Sequence, residues 1–489
     1  MKANVIGSGI GGISAAIRLR NMGFNVNVFE KNKNPGGKLN TFKLGDYRFD
    51  AGPSLFTMPN LVDELFTMSG ENPRNFFKYK KKDIHCKYYW DDGTKFTAFS
   101  DKQKFLNEVK EKFKVENKVL TNYFLKARKK YELTKNIFLN KSLHKLSTYT
   151  NIKTIKALFK FNIYQINQTL NQVNSKELKN DYLVQIFNRY ATYNGSSPYK
   201  TPGMMTLIQH LENNYGTYIP EKGMYDITNS LYELAKRIGV NFYFNKCVTG
   251  LNVKNNIVDS IELNDGKIFK SDYIISNVDT NYFYKNIIKN QTKNIFIEQE
   301  RSSSAVIYYW GMNKKFENLD LHNILFSSDY KTEFEYIFKK SKLFNDPTIY
   351  INITSKDVKN DAPKNCENWF VMVNAPHNKN QNWENELVEL KKNILEKIER
   401  ILECDVEKHI QEERIYSPKN LENNTNSYQG SLYGTSSNNI LSSFLRHPNF
   451  SRKFKNLFFC GGSVHPGGGI PLCLLSSKIA CDLIENSKY

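Results

Sequence analysis

The six residues Gly7-Ser8-Gly9-Ile10-Gly11-Gly12 constrain this chain more tightly than any other segment. A short apolar run, Ala3-Asn4-Val5-Ile6, precedes them, and Ile13, Ala16, Ile17 and Arg20 continue at helical spacing. Gly23 supplies a helix stop, and Val26, Val28 and Glu30 begin a second strand. The unit is β-α-β, and the pattern G-x-G-x-x-G sits at its first turn, the context in which it grips a dinucleotide. Gly7 permits the tight turn, Gly9 lets the backbone approach a pyrophosphate, and Gly12 lets the helix lie close to the sheet. The helix start adds free N–H groups and the positive end of the dipole. Glu30 stands where a carboxylate accepts hydrogen bonds from the adenosine ribose hydroxyls and repels the extra phosphate of NADP. NAD and FAD both satisfy this unit.

A second glycine loop lies at the other end of the chain. Gly461-Gly462-Ser463-Val464-His465-Pro466-Gly467-Gly468-Gly469-Ile470-Pro471 follows a strand, Leu457-Phe458-Phe459-Cys460, and precedes a helix that runs to about Glu485. Its glycines let backbone N–H groups approach a ligand, and its helix start carries partial positive charge. That charge suits the N1–C2 edge of a flavin, which is anionic when reduced. The loop is apolar elsewhere, which suits a hydrocarbon neighbour. No acidic residue stands beside Gly461-Gly462-Ser463 to hold a ribityl chain, so that contact is unassigned.

Further segments carry a family likeness. They are Pro35-Gly36-Gly37-Lys38, Phe49-Asp50-Ala51-Gly52-Pro53, the stretch from Phe187 to Tyr199, Tyr218 to Met224, Ser276-Asn277-Val278-Asp279 and Gly430 to Gly434. With the two glycine loops they resemble the amine oxidase and phytoene desaturase superfamily, and within it the phytoene-desaturase-type carotenoid desaturases. The C-terminal loop is similar to that of hydroxycarotenoid 3,4-desaturases of flavobacterial type. The resemblance covers nearly the whole chain. It implies an α/β fold: a Rossmann-type FAD-binding domain, parallel sheet with helices, joined to an α+β substrate domain with a basic helical region facing a membrane. It implies FAD as cofactor and a carotenoid as substrate, oxidised at a CH–CH bond, with oxygen or quinone as electron acceptor. FAD contacts fall on Gly7, Gly9, Gly12, Glu30, Lys31, Gly37 and Lys38. Others fall on Pro53, Ser54, Val248, Gly462, Gly469, Ile470 and Pro471. Lys38 stands where the family has Arg, keeping the charge but losing the planar fork. Arg189 and Tyr190 are candidates for the substrate channel, Arg189 equally for a structural ion pair. His465 is a candidate catalytic proton acceptor beside the flavin, or a residue that fixes the loop by hydrogen bonding.

Between the termini the pattern divides. Residues 1–100, 225–290 and 430–489 are assigned to a discontinuous FAD-binding domain, and 101–224 with 291–429 to the substrate domain. Lys102 to Lys160 reads as helices with basic outer faces, and Met205 to Asn213 as a helix after the breaks at Pro198 and Pro202. Alternation from Asn241 to Asp279 gives strands, with Tyr273–Ser276 returning to the first sheet. Ser304 to Trp310 is a strand whose paired tyrosines, Tyr308 and Tyr309, pack in a sheet or touch ligand. Glu384 to Glu403 is an amphipathic helix, and the Asn-rich run 420–427 reads as a loop.

The formal net charge of +20 fits composition drift, an anionic membrane surface or nucleic acid; no recognition signature supports the last. Seven scattered cysteines without a C-x-x-C pair speak for free thiols in a reducing compartment and against zinc. His85, His144, His322 and His377 have no ligand spacing, so no metal is expected. No charge-free apolar run of ~18 residues exists, and the first strand leaves no room for a signal peptide. A cytoplasmic protein held peripherally at the inner membrane is therefore expected. Two other readings share the fold: an amine oxidase or carotenoid isomerase, and a prenyl-lipid-binding protein that uses no flavin.

Overall fold

The opening β-α-β pattern folds as its periodicity dictates. β1 (Lys2–Ile6) buries four of its five residues, α1 (Ile10–Asn21) follows, and β2 (Asn25–Phe29) lies parallel to β1. The structure, a computed structural model, describes residues 1–145, 148–149, 161–288 and 299–487. Among these residues β1 and β2 belong to a five-stranded parallel sheet with Asn241–Tyr243, Tyr273–Ser276 and Leu457–Phe459. Numbered along the chain, the strands lie in the order 3-2-1-4-5, the doubly wound arrangement. Its switch point falls between β1 and Tyr273–Ser276. There the chain turns off the sheet at Gly7 on one side and Asn277 on the other.

The C-terminal helix, Ile470–Glu485, packs along α1. Small residues allow the approach: the Ser14 and Ser477 hydroxyls are 2.7 Å apart, and Cys481 Sγ lies 3.7 Å from the Ala15 carbonyl oxygen. Ile13, Ile17, Leu474 and Ile484 are buried in the same core, each contributing about 1.5–3 kcal/mol by leaving water. The two ends of the chain are thus held side by side.

A second, mixed sheet of seven strands stands over the first. Its order is Ile410–Tyr416, Ser304–Met312, Glu367–Ala375, Ile349–Asn352, His322–Leu325, Ile84–Tyr89, Lys95–Phe99. Tyr308, Trp310, Trp369, Val371 and Ile351 alternate onto one face and pack with Leu390, Ile394 and Ile398 of the helix Trp383–Leu402. The alternate positions run in rows across the other face: Ile307, Met372, Tyr350, Ile324 in one, and Tyr309, Phe370, Asn352, His322 in the next. Tyr308 therefore packs in a core, while its neighbour Tyr309 faces inward toward the first sheet. The fold is the α/β arrangement expected, a parallel Rossmann-type unit beside an α+β unit. The stretch 1–100 supplies strands to both sheets.

One local expectation changes and another is refined. Residues 420–425 of the expected loop are helical: Pro418–Thr425 is a helix, started by a capping box from Ser417 and Asn420 with Pro418 in its first turn. The segment Gly203–Tyr215 is helical but irregular, passing from 3-10 through α to π geometry. Helices do occupy Lys102–Phe113 and Asn117–Thr134. Residues 146–147 and 150–160 of the expected basic region lie outside the described residues.

Candidate functional site

The two glycine loops meet. A Cβ on Gly11 would lie 3.3 Å from Gly461 Cα, and the Asn277 amide fills the gap between them. A Cβ on Gly9 would lie 2.7 Å from Asn277 Nδ2, and one on Gly461, whose φ is +99°, would lie 2.5 Å from Asn277 Oδ1. Gly12 has no space for a Cβ against the Gly7 carbonyl, which is the close helix–strand approach its motif position requires. A third glycine pair joins them. Gly36 bridges to Gly9, and a Cβ on Gly37 would lie 3.4 Å from Gly9 Cα.

Around this junction lies a cavity of about 760 Å³ that continues under the seven-stranded sheet. Gly7, Gly9, Glu30, Lys31, Gly37 and Lys38 line it. So do Pro53, Ser54, Val248, Gly462, Gly469, Ile470 and Pro471, and Arg189. Gly12, Tyr190 and His465 do not line it.

Glu30 is pre-set by its own neighbours. Its Oε2 accepts the Ser8 N–H at 2.8 Å and the Ser8 hydroxyl at 2.9 Å, and its Oε1 accepts the Asn32 N–H at 2.9 Å. The carboxylate thus fastens the end of β2 to the glycine turn and keeps one lone-pair site, on Oε1, for a ligand. The Lys31 amine donates to the Asn423 carbonyl and Asn426 Oδ1 at the end of the Pro418–Thr425 helix, where a cation meets the negative end of the dipole. Lys38 donates to the Leu432 carbonyl at 2.7 Å and the Ser431 carbonyl at 3.2 Å. Burial pulls the pKa of both amines down, more than their acidic neighbours raise it. Asp50, in a segment of the family likeness, accepts the Met224 and Tyr225 N–H groups at 2.7 and 2.9 Å and so caps the helix Tyr225–Arg237.

These features fit a flavin dinucleotide: a glycine cradle closed to any Cβ, a helix start on either side, a fixed carboxylate at the end of β2 and room beyond. Ile307, Met372, Ile324, Tyr309 and Phe370 of the inward rows of the second sheet, with Ile208, Leu211 and Met205, supply much of the remaining wall. Among the described residues no group of three His, Cys, Asp or Glu is placed to hold a metal, and the seven cysteines are free thiols.

His465 is corrected as a proton acceptor. Its ring is fully buried, edge-on to Phe138, and its Nε2 lies 3.0 Å from the Lys141 carbonyl oxygen. A carbonyl only accepts, so Nε2 carries the proton and donates it. Burial pushes the pKa down to about 3. The residue fixes the loop, as does Asn449 Nδ2, which donates to the His465 carbonyl at 2.8 Å.

Arg189 lies on the cavity wall and also takes part in an ion pair. It donates to the Tyr88 and Tyr193 hydroxyls at 2.8 Å each and lies 3.5 Å from Glu212 Oε1. Tyr190 and Tyr193 donate to Glu212 Oε1 and Oε2 at 2.8 and 2.5 Å. Burial opposes the Glu212 charge, but Arg189 and these hydroxyls override it and hold the pKa below the usual carboxylate range. Sequence reading missed Glu212 and the function of Asn277. Asn277 stands in the family-like segment Ser276-Asn277-Val278-Asp279, but its seat between the loops depends on strand order.

Comparison with known proteins agrees with this geometry. A family model described as "Flavin containing amine oxidoreductase" matches residues 10–485. The 1-hydroxycarotenoid 3,4-desaturase of Flavobacterium sp. (strain P99-3) is 51% identical over 487 residues, 99% of each chain. A 4,4'-diaponeurosporene oxygenase of Staphylococcus aureus (strain MRSA252) is 31% identical over 98% of this chain and 97% of its own. An oxidoreductase from Methanosarcina mazei, 14% identical, superposes with a TM-score of 0.65 over 99% of this chain and 100% of its own. That last likeness is one of fold.

Proposed function

We propose that this chain, a member of the flavin-containing amine oxidoreductase family, is an FAD-dependent carotenoid desaturase of the 1-hydroxycarotenoid 3,4-desaturase type. The observation that carries the reading is the meeting of the two glycine loops on the wall of a mostly apolar cavity, together with 51% identity over 99% of the chain to a desaturase of that name. FAD is the cofactor. Bound there, it supplies a hydride acceptor, which a hydrocarbon without an activating heteroatom requires.

The protein contributes position and dryness. Gly7, Gly9 and the start of α1 receive the phosphates. Glu30 would accept a ribose hydroxyl at its open site while Ser8 and Asn32 hold it in place. Gly462, Gly469 and the N-terminus of Ile470–Glu485 receive the redox end. The inward rows of the second sheet align the polyene and exclude water. A carbon beside the conjugated chain is the best hydride donor, since the positive charge left on the substrate is spread over the polyene. Loss of a proton from the adjacent carbon completes the double bond. Two hydrogens leave as one hydride and one proton, so the product is two mass units lighter.

The substrate dissolves in lipid, and we assign its uptake to a membrane surface reached from the cytoplasm. Among the described residues no helix is long and apolar enough to cross a membrane. The helix Lys102–Phe113 presents exposed lysines, which attract anionic lipid, and Leu125 and Leu441 are exposed apolar side chains. Oxygen or quinone then takes the electrons. Feeding phytoene, lycopene and a 1-hydroxycarotenoid separately to the FAD-loaded enzyme tests the reading. Loss of two mass units from the 1-hydroxycarotenoid is expected. A product of unchanged mass would replace desaturation by isomerisation, and no conversion of any of the three would remove the function.

A further inference from the structure

A cavity for pure hydrocarbon has no use for buried polar groups, yet one side of this wall is rich in them. Along the inward rows of the second sheet, Ile307 and Met372 give way to Tyr350, and Tyr309 and Phe370 to His322. His322 lines the cavity and is 3% exposed. Its Nδ1 lies 2.7 Å from the Tyr350 hydroxyl and 3.2 Å from Asn352 Nδ2. Asn352 Nδ2 also donates to the Leu321 carbonyl at 2.9 Å, which sets the amide's orientation. The His322 Nδ1 is therefore an acceptor. Burial depresses the pKa of the ring to about 4, so it is neutral and its proton is on Nε2.

That Nε2 is buried and has no partner among the described residues, and neither has Arg189 Nε on the same cavity. A buried donor left without an acceptor costs about 1–3 kcal/mol, so two on one ligand cavity point to an oxygen that arrives with the ligand. Glu212, also on this wall, carries about four lone-pair sites. Three donors occupy it: Tyr190, Tyr193 and Arg189. One site is left for a hydroxyl proton. A donor and a spare acceptor on one cavity wall together complement an alcohol.

We propose that this wall binds a hydroxyl group at the end of the carotenoid, with the His322 Nε2–H as the donor that reads it. The inference rests on the desaturase reading and deepens it. Position supports it as well. The Tyr350 hydroxyl joins His322 to the Ser54 hydroxyl at 2.8 Å, and Ser54 lines the cavity in the segment assigned to the cofactor. A hydroxyl on carbon 1 and a reacting bond at carbons 3 and 4 lie within about 5 Å of each other at ordinary bond lengths. The reader of the hydroxyl therefore has to lie near the cofactor, and Tyr350 and Ser54 link His322 to the segment assigned to FAD.

The test compares two probes, a 1-hydroxy acyclic carotenoid and the same molecule without its hydroxyl. They are bound to FAD-loaded wild type, His322→Gln and His322→Phe, with quenching of protein fluorescence as the readout and turnover measured beside it. Wild type should bind the hydroxylated probe at least about tenfold more tightly. His322→Phe should lose that preference by weakening the hydroxylated probe alone, while His322→Gln, which keeps an N–H donor, should retain part of it. Equal wild-type affinity for the two probes overturns the hydroxyl site, even where both are desaturated and the function stands. Preference surviving in His322→Phe overturns the assignment to His322. Neither probe bound nor converted removes the function itself, and this site with it. Where His322→Phe fails to fold, the wild-type comparison and His322→Gln decide.

Discussion

Alanine at Gly11 should act as a wedge between the two ends of the chain. The glycine pattern leaves this position free, yet a Cβ there would lie 2.7 Å from Asn277 Oδ1 and 3.3 Å from Gly461 Cα. Asn277 has little room to retreat, because Cβ atoms on Gly9 and Gly461 would meet the same amide. Carbon pairs settle at about 3.5–4.0 Å, so the backbone of the second loop has to move by several tenths of an ångström. Overpacking of this kind costs about 1–3 kcal/mol, and replacing a helical glycine by alanine recovers at most about 1 kcal/mol. With that gain subtracted, a net loss of up to about 2 kcal/mol is expected, with FAD bound about tenfold more weakly if the same displacement opens its cradle. Gly462→Ala is the counterpart. Its Cβ would sit in ordinary contact, 3.5 Å from Gly468 Cα and 3.8 Å from Cys473 Sγ, but on the cavity wall. It should leave the cofactor-free protein within about 0.5 kcal/mol of wild type and still weaken FAD. Urea unfolding without cofactor, and FAD fluorescence titration, measure the two quantities. Gly11→Ala with wild-type stability and wild-type FAD affinity would refute the meeting of the loops.

Other consequences follow from the same geometry. Arg189→Met strands the Glu212 carboxylate in the interior and should cost about 3–5 kcal/mol; adding Glu212→Gln should restore part of it, and unchanged stability of the single variant would show the pair is not buried as described. His465, with a folded pKa near 3 against an unfolded value of about 6.5, binds its proton more readily when unfolded. Its contribution is complete above about pH 6.5 and falls away toward pH 3, by up to about 1.4 kcal/mol per pH unit. His465→Gln should therefore flatten the acid side of the stability profile, and an unaltered slope would contradict its burial as a neutral ring. Saturation with FAD at about 100 times its Kd should raise the unfolding free energy by about 2.7 kcal/mol, read as a higher melting temperature; no shift would mean that FAD does not bind the folded chain.

Local patterns were legible in the sequence. The β-α-β start, the C-terminal loop and its helix, and the strand Tyr273–Ser276 all carry their signals within a dozen residues, and all lie where read. What depends on pairing across the chain was not. Ile84–Tyr89 joins the second sheet through a parallel partner at His322–Leu325, which no pattern between residues 84 and 89 announces. Glu212 meets Arg189 across two proline breaks. His322 has no metal-ligand spacing, and its interest arises only from strand neighbours that take up its Nδ1. The Asn-rich run failed for another reason. Asparagine is a weak helix former, and the cap at Ser417-Pro418 outweighs it.

The most direct test of the account is an anaerobic titration of the purified, FAD-loaded protein with a 1-hydroxycarotenoid. Bleaching of the oxidised-flavin absorbance, in step with a product two mass units lighter and reversed by oxygen or quinone, is the result expected. A flavin band that stays unbleached with every carotenoid offered, or a protein that cannot be loaded with FAD at all, would contradict it.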